Sequence, residues 1–398
     1  MLRNEEKKCK VGAVIIMHPG HNNYGTSLQG LATVKFLQKE EISFDIIRYN
    51  KKRTLWDIIS TGPFLLMSGA LKSIQRRKYK EKSIKEHPVY RELLKIRTTK
   101  IQIFKDKYFE PLCKYYTGYK NLHKGSLNYD VVFVGSDQVW SPLSLYSKFY
   151  NLLFVDKSVP TFSYASSFGV SNILKWQIKG TRRFLNKLDL IGVREIRGKE
   201  IVDSLSNKKA TVVVDPTLLL CRKDWDEIAD MSLKNYSEPY IFCYILGQRD
   251  SIREQINKLR NKTGYKVVFL RHVDDYYEPD EKMGDYAPYD IDPIDFINLI
   301  RNASYVITDS FHCTIFSIIF HKQFSVFYRV DPSSPRSTHS RIQSLLMTYG
   351  LIDRLGENGM LDKIDNQIDY KYVDNQINRL RENSIYFFRK GLNLPYIN

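Results

Sequence analysis

The residues best suited to chemistry in this sequence stand where one structural pattern gives way to another. Between Ser304 and Phe327 a β-branched and aromatic run, Tyr305-Val306-Ile307-Thr308, meets the polar corner Asp309-Ser310-Phe311-His312. Ile315, Phe316, Ile318 and Ile319 then keep helical spacing, and Phe324-Ser325-Val326-Phe327 is a second strand-like run. Strand, turn, helix and strand in that order form the βαβ unit of a parallel sheet. Ligands of open parallel sheets bind at the carboxyl ends of the strands. A helix that starts there offers free N–H groups and a positive dipole end to an anion. Ser310 and His312 occupy that turn. His312 is either a proton-exchanging group, as imidazoles are near neutral pH, or a residue that caps the helix and packs under the turn.

Other strand ends carry polar residues in the same way. Val11–Met17 reads as a buried strand, and the loop after it contains Asn23, Tyr24 and Gly25 before a helix begins. These three are candidate ligand contacts, and equally turn and cap residues. The loop holds no GxGxxG and no GxxxxGK[ST], so neither a dinucleotide fingerprint nor a P-loop is expected. Tyr129–Val134 is a strand ending in Gly135-Ser136-Asp137-Gln138. Ser136 and Gln138 offer hydrogen bonds to ligand hydroxyls, and Asp137 could orient or deprotonate one. Leu190–Val193 delivers Arg194 and Glu195, and Thr211–Val214 ends in Asp215. In a second series, strand ends carry Arg249, Arg271 with His272, Ser310 with His312, and Arg329; a polar loop then runs to Arg341. Several arginines around a histidine at a helix start make a pocket for phosphate or carboxylate.

The elements that hold these residues read as two βα series, hence two Rossmann-like domains facing across a cleft. We expect an N-terminal domain over 1–215 and a C-terminal domain over 216–375. Residues 376–398 would form a final helix that packs back on the first domain. Residues 51–125 interrupt the rhythm and read as a basic helical insert. Trp56 to Leu71 form an apolar patch there, followed by the basic run Lys72–Lys82. Residues 274–290 read as an acidic surface loop.

Composition narrows the class. The chain has 398 residues with 43% hydrophobic and 26% charged content, which suits a globular protein with full cores. No stretch of 18 apolar residues suggests a transmembrane helix, and no signal peptide is read at the start. Five scattered cysteines without a CxxC pair point to reduced thiols and a cytoplasmic setting. No metal-ligand cluster is visible, and no metal or cofactor is expected. Net charge is +17, of which +13 falls between Lys51 and Lys124. With apolar anchors nearby, such a block suits an anionic membrane surface or packs as an insert basic on its outer face. Without a recognition motif it does not suggest nucleic acid.

Together these segments resemble the polysaccharide pyruvyl transferase family of bacterial surface-glycan enzymes. The resemblance runs in order through NNYGTSLQG, VFVGSDQVW, GVREIRGKE around Arg194, VVVDPTLLL around Asp215, and ITDSFHCTIF. It implies a GT-B-like arrangement, phosphoenolpyruvate as donor and a sugar diol as acceptor. The product would be a cyclic pyruvate ketal, with phosphate leaving. The family's histidine falls on His312 and its donor-anion arginine on Arg194. One departure stands out: the family pattern S-x-R-x-H has serine here, Ser310, in place of arginine. Arg249, Arg271 or Arg329 would then supply the charge, or the donor differs. A GT-B-type glycosyltransferase using a nucleotide sugar is the rival expectation, and a glycan-binding scaffold without catalysis a third. An acceptor on a polyprenyl diphosphate would bring the protein to the inner membrane face through residues 51–124.

Overall fold

The computed structural model describes residues 9–17, 22–51, 70–141, 148–272, 275–330, 339–356 and 363–394. The apolar patch from Trp56 onward therefore lies almost wholly outside the described residues. So does the turn His18–His21.

Among the described residues, the first half builds a seven-stranded parallel sheet. Its elements are β1 (Lys10–Val14), α1 (Tyr24–Lys39), β2 (Ser43–Asn50), α2 (Ala70–Glu86), α3 (Pro88–Tyr108), β3 (Cys113–Thr117), α4 (Tyr119–Ser126) and β4 (Val131–Val134). They continue with β5 (Thr161–Ser166), α5 (Ile178–Lys187), β6 (Leu190–Val193), α6 (Ile196–Leu205) and β7 (Ala210–Val212). The sheet order is β3-β2-β1-β4-β5-β6-β7, so the winding reverses between β1 and β4. Strands buried on both faces need unbroken apolar runs, and VVFV of β4 and YIFCY of β8 (Tyr240–Tyr244) supply them.

The second half holds a four-stranded parallel sheet in the order β11 (Gln323–Val326), β10 (Tyr305–Thr308), β8, β9 (Lys266–Leu270). After α7 (Arg222–Ala229) and β8 come α8 (Asp250–Thr263), β9 (Lys266–Leu270), α9 (Pro293–Asn302), β10 (Tyr305–Thr308), α10 (Phe311–Ile319) and β11 (Gln323–Val326). Then follow α11 (His339–Thr348) and α12 (Tyr370–Gly391). Here the winding reverses between β8 and β10. Both reversals open a crevice at the strands' carboxyl ends, and the loops that leave them carry the polar corners.

The halves are joined through side chains. Tyr24, at the start of α1, is fully buried, stacked on Phe296 at 4.8 Å and edge-on to Tyr244 at 5.9 Å. It belongs to the core between the halves and is not an acceptor contact. At its carboxyl end α12 packs on the first sheet: Phe388 meets Phe36, Phe133, Phe162 and Tyr164 within 5.5 Å between ring centres. Its first turns touch the second half, where His321 meets Asp374 at 3.0 Å.

Three sequence readings change. The segment 51–125 is not wholly helical, because β3 pairs in parallel with β2 and extends the first sheet. Lys114 and Tyr115 are exposed there, as suits an edge strand; short polar edges carry little apolar signal. Arg341 stands in the first turn of α11, where a continuing polar loop was expected. Residues 275–290 are more than a surface loop, because Asp280 within them is buried against Arg253 at 3.0 Å.

The insert also does more than decorate the surface. Tyr90, Arg97, Ile101 and Phe104 form the buried stripe of α3. Arg97, fully buried, donates to the carbonyls of Arg271 (2.7 Å), His272 (3.2 Å) and Pro288 (3.4 Å). Its guanidinium lies 4.3 Å from the Tyr289 ring centre. Tyr90 donates to the carbonyls of His272 and Asp275 at 3.0 and 2.8 Å. The insert thus leaves the first half and fastens a strand-end loop of the second.

Candidate active site

At the seam of the two halves, five strand-end or helix-start segments converge. His312, one residue into α10, is 7% exposed, with Nε2 at 3.5 Å from Asp215 Oδ2. Asp215, just past β7, also accepts from Arg194 Nη1 (2.9 Å), Ser136 Oγ (3.2 Å) and Thr217 Oγ1 (2.8 Å). Arg194, just past β6, lies 3.6 Å from Asp137 and 3.9 Å from Glu195, with its guanidinium 4.5 Å from the Phe311 ring centre. Gly25 sits directly against His312: a β-carbon there would lie 2.3 Å from Nδ1. That close approach explains why glycine stands in the first turn of α1.

Asp137 is held unusually. Its φ of 76° is in the left-handed region, which non-glycine residues enter uncommonly and aspartate more readily than most. Ser167 N–H donates to its carbonyl at 2.9 Å, and Thr26 Oγ1 and Gln138 N–H donate to its carboxylate at 2.8 and 2.9 Å. The Gln138 amide oxygen, oriented by its donors, accepts from both Arg341 Nη atoms at 2.8 and 2.9 Å.

Electrostatics follow from burial and these partners. Burial alone would raise the Asp215 carboxyl, but His312 and Arg194 outweigh it and hold it far below the ordinary carboxylate range. Burial opposes Asp137 too, and Arg194, His312 and Thr26 likewise bring it below its usual value. Glu195 goes the other way: burial lifts it more than Arg194 and Ser167 lower it. Burial and the like charge of Arg194 bring Arg341 down to about 10.

A second group lines a cleft of about 420 Å³. Its walls include Asn23, Gly247, Gln248, Arg249, His272 and Arg329, with Arg76 and Lys80 of α2 on the insert side. Arg249 and the start of α8 lie here, so a helix dipole adds to the cationic side chains. Gly247 is required by crowding, because a β-carbon would meet the Arg329 carbonyl at 2.2 Å. Asp309 fixes that loop, accepting from Leu246 and Gly247 N–H at 2.8 and 2.7 Å across the β8–β10 crevice. Asn23 caps α1 through Gly25 and Thr26 N–H, joining cleft wall to seam. Behind the seam, a second cavity of about 460 Å³ is mainly apolar, with Arg194, Asp215 and Arg341 at one side.

The structure brings Gly25, Ser136, Asp137, Gln138, Arg194, His312 and Arg341 together at the seam, and Asn23, Arg249 and Arg329 at the cleft. It does not bring Arg271 to either; that side chain pairs with Glu281 at 2.9 Å. Ser310 caps α10, accepting from Cys313 N–H at 3.5 Å, and does not take over the role of the arginine it replaces. Arg194 is neutralised by carboxylates and so is not an unpaired anion contact. Asp215 and Glu195 were not singled out as site residues, although Asp215 ends a strand and Glu195 follows Arg194. Among the described residues no group of three or more His, Cys, Asp or Glu could hold a metal ion. Among them, too, no helix is long and apolar enough to cross a membrane.

Two parallel sheets with converging carboxyl ends and a charged seam define a two-lobed GT-B-like α/β protein. The family model for polysaccharide pyruvyl transferase matches residues 23–332, and the chain belongs to that family of transferases. No curated protein matches the chain. Among solved structures, one from Listeria monocytogenes described as a UDP-N-acetylglucosamine 2-epimerase has a TM-score of 0.50 at 12% identity, covering 98% of this chain and 91% of that one. The S. aureus MnaA–UDP structure gives a TM-score of 0.49 at 11% identity, covering 97% and 98%. Similarity at this level concerns the fold.

Proposed function

We propose that the protein transfers the enolpyruvyl group of phosphoenolpyruvate to two hydroxyls of a sugar, closing a pyruvate ketal. The sugar belongs to a bacterial surface polysaccharide or its polyprenyl-diphosphate-linked precursor. The observation that carries this reading is the cationic cleft in a chain of this family: Arg249, Arg329, Arg76 and Lys80 beside a helix N-terminus. Phosphate and carboxylate are the anions such a group favours.

The chemistry is balanced by proton movements alone. Protonation at C3 of the enol makes C2 an oxocarbenium-like electrophile. One hydroxyl oxygen adds to C2, the C2–O bond to phosphate breaks with its electron pair on phosphate, and the second hydroxyl closes the ring. One hydroxyl proton ends in the new methyl group and the other on phosphate. His312, backed by Asp215, assists the departing phosphate. Its ring packs on Gly25, two residues from Asn23 on the cleft wall. Asp137, ionised and fixed by Thr26, orients a sugar hydroxyl alongside Ser136 and Gln138.

Calorimetric titration and phosphate release test the donor. Arg249→Ala with Arg329→Ala is expected to weaken phosphoenolpyruvate binding roughly 100-fold, since two charge-assisted hydrogen bonds are lost. Wild-type affinity in that variant would remove the donor from the cleft. If the wild type instead releases nucleotide diphosphate from nucleotide sugars, the glycosyltransferase reading replaces this one. The replacement of the family's arginine by Ser310 is what favours that rival. Binding without turnover of either donor would point to a scaffold.

A lipid-linked acceptor places the protein at the inner membrane face. Arg77, Lys78, Lys82 and Lys85 of α2 are exposed. Co-sedimentation with phosphatidylglycerol vesicles is expected to fall with salt and to be lost when these four become glutamate. Undiminished binding by that variant would exclude α2 as the membrane contact.

A further inference from the structure

The proposed reaction moves two protons, and the structure places one imidazole–carboxylate pair at the seam and another on the cationic cleft. One is His312 with Asp215. The other lies in the second half, after β9. His272 Nδ1 is 2.7 Å from Asp280 Oδ2, and its own backbone N–H donates to the same oxygen at 3.0 Å. Asp280 is fixed from behind by Arg253, whose Nε donates to Oδ1 at 3.0 Å. A carboxylate so anchored holds the Nδ1 proton and leaves Nε2 as the exchanging atom. His272 is 6% exposed, and Nε2 is buried without a hydrogen-bond partner among the described residues. Yet the residue lines the cationic cleft with Arg249 and Arg329. A purely structural histidine would satisfy both nitrogens; this one spends Nδ1 on positioning and keeps Nε2 for whatever fills the cleft.

The surroundings match that use. Arg249, Arg329 and Asp275 border the cleft beside His272, and Arg76 and Lys80 border it from the insert. The Tyr277 ring lies 5.4 Å away between ring centres. Arg271, the preceding residue, pairs with Glu281. Burial would raise Asp280, but His272 and Arg253 outweigh it and keep the carboxyl below its usual value, so it stays ionised behind the ring. Arg97 and Tyr90 of the insert hold the His272 carbonyl, which fixes the ring's origin.

We propose that His272 is a catalytic acid of this transferase: its Nε2–H protonates C3 of the phosphoenolpyruvate in the cleft, with Asp280 holding the ring in place. The C–H bond forms from the vinyl electron pair. The first sugar hydroxyl to add at C2 returns its proton to Nε2, so the imidazolium is regenerated. The second hydroxyl proton leaves on phosphate, and no oxidant or reductant is needed. This role rests on phosphoenolpyruvate being the donor.

The test uses the full chain. Phosphate release from phosphoenolpyruvate is followed with a panel of sugar diols, and the His272 imidazole by nitrogen-15 resonance, assigned through its loss in His272→Gln. The variant is expected to keep its melting temperature within a few degrees, to lose about 100-fold in kcat with KM for phosphoenolpyruvate within about threefold, and to lose the alkaline limb of the kcat/KM profile. A kcat within about threefold of wild type, or a retained alkaline limb, overturns the proposal. If the wild type turns over no phosphoenolpyruvate, the donor reading fails separately. The resonance then decides: a Nε2 signal that moves on titration with inorganic phosphate supports a ligand-facing acid, and one that stays fixed in saturating phosphate overturns it.

Discussion

Gly25→Ala is expected to lower turnover by about two orders of magnitude, although the substitution adds one methyl group and changes no charge. Its β-carbon would fall 2.3 Å from His312 Nδ1, 2.5 Å from Cγ and 2.7 Å from Cβ. No side-chain contact survives at that separation, so either α1 or the imidazole must shift. The ring cannot shift freely, because Asp215 stands 3.5 Å from Nε2. Overpacking of this kind costs about 1–3 kcal/mol in stability, and a displacement of about 1 Å at a reacting group costs about 100-fold in rate. Steady-state phosphate release together with thermal unfolding separates the two effects. A variant with wild-type turnover would mean that His312 has no positional role in the reaction.

Arg194→Met is expected to destabilise the fold by about 3–5 kcal/mol and to change its pH dependence, because it leaves buried carboxylates without their cation. The Arg194 side chain is 2% exposed and that of Asp215 1%. Asp215 and Asp137 have folded values below the unfolded one near 3.9, so their contribution is full above that value and is lost as pH falls through the acid range. Glu195, lifted by burial, acts in the opposite sense: its ionisation penalises the fold as pH rises from about 4.3 through its raised value. Removing Arg194 weakens the first contribution and deepens the second, which moves the variant's stability optimum toward acid. Urea denaturation of both proteins across pH 3–8 would show this. Parallel profiles would mean that the guanidinium does not hold these carboxylates in their charged state.

Much of this was legible before any coordinates, and the reasons differ by element. Buried parallel strands must be apolar on both faces, so VVFV and YIFCY announce themselves, and the polar corners after them mark strand ends. Asn23, Asp137, Arg194 and His312 were found that way. Tyr24 misled because a phenol beside a turn looks like a ligand contact, while packing against Phe296 is a long-range fact with no local signature. Arg271 misled because a strand end fixes where the backbone goes, not where a long side chain points, and Glu281 lies ten residues on. β3 was lost in the basic run because an edge strand needs few apolar residues. The His272–Asp280–Arg253 set joins the loop just past β9, a following turn and α8, a convergence that only tertiary structure reveals.

The latch formed by Arg97 and Tyr90 has a consequence for how this enzyme diversifies. One wall of the cleft hangs from the first lobe and is pinned, at its far side, to the second. The charged seam is built by the two Rossmann-like halves, whereas this wall of the cleft belongs to the insert. Changes in the length or charge of that segment would reshape the cleft wall and, through the bonds of Arg97 and Tyr90 to the His272 carbonyl, would reach His272 as well, while the His312–Asp215 pair would stay in place.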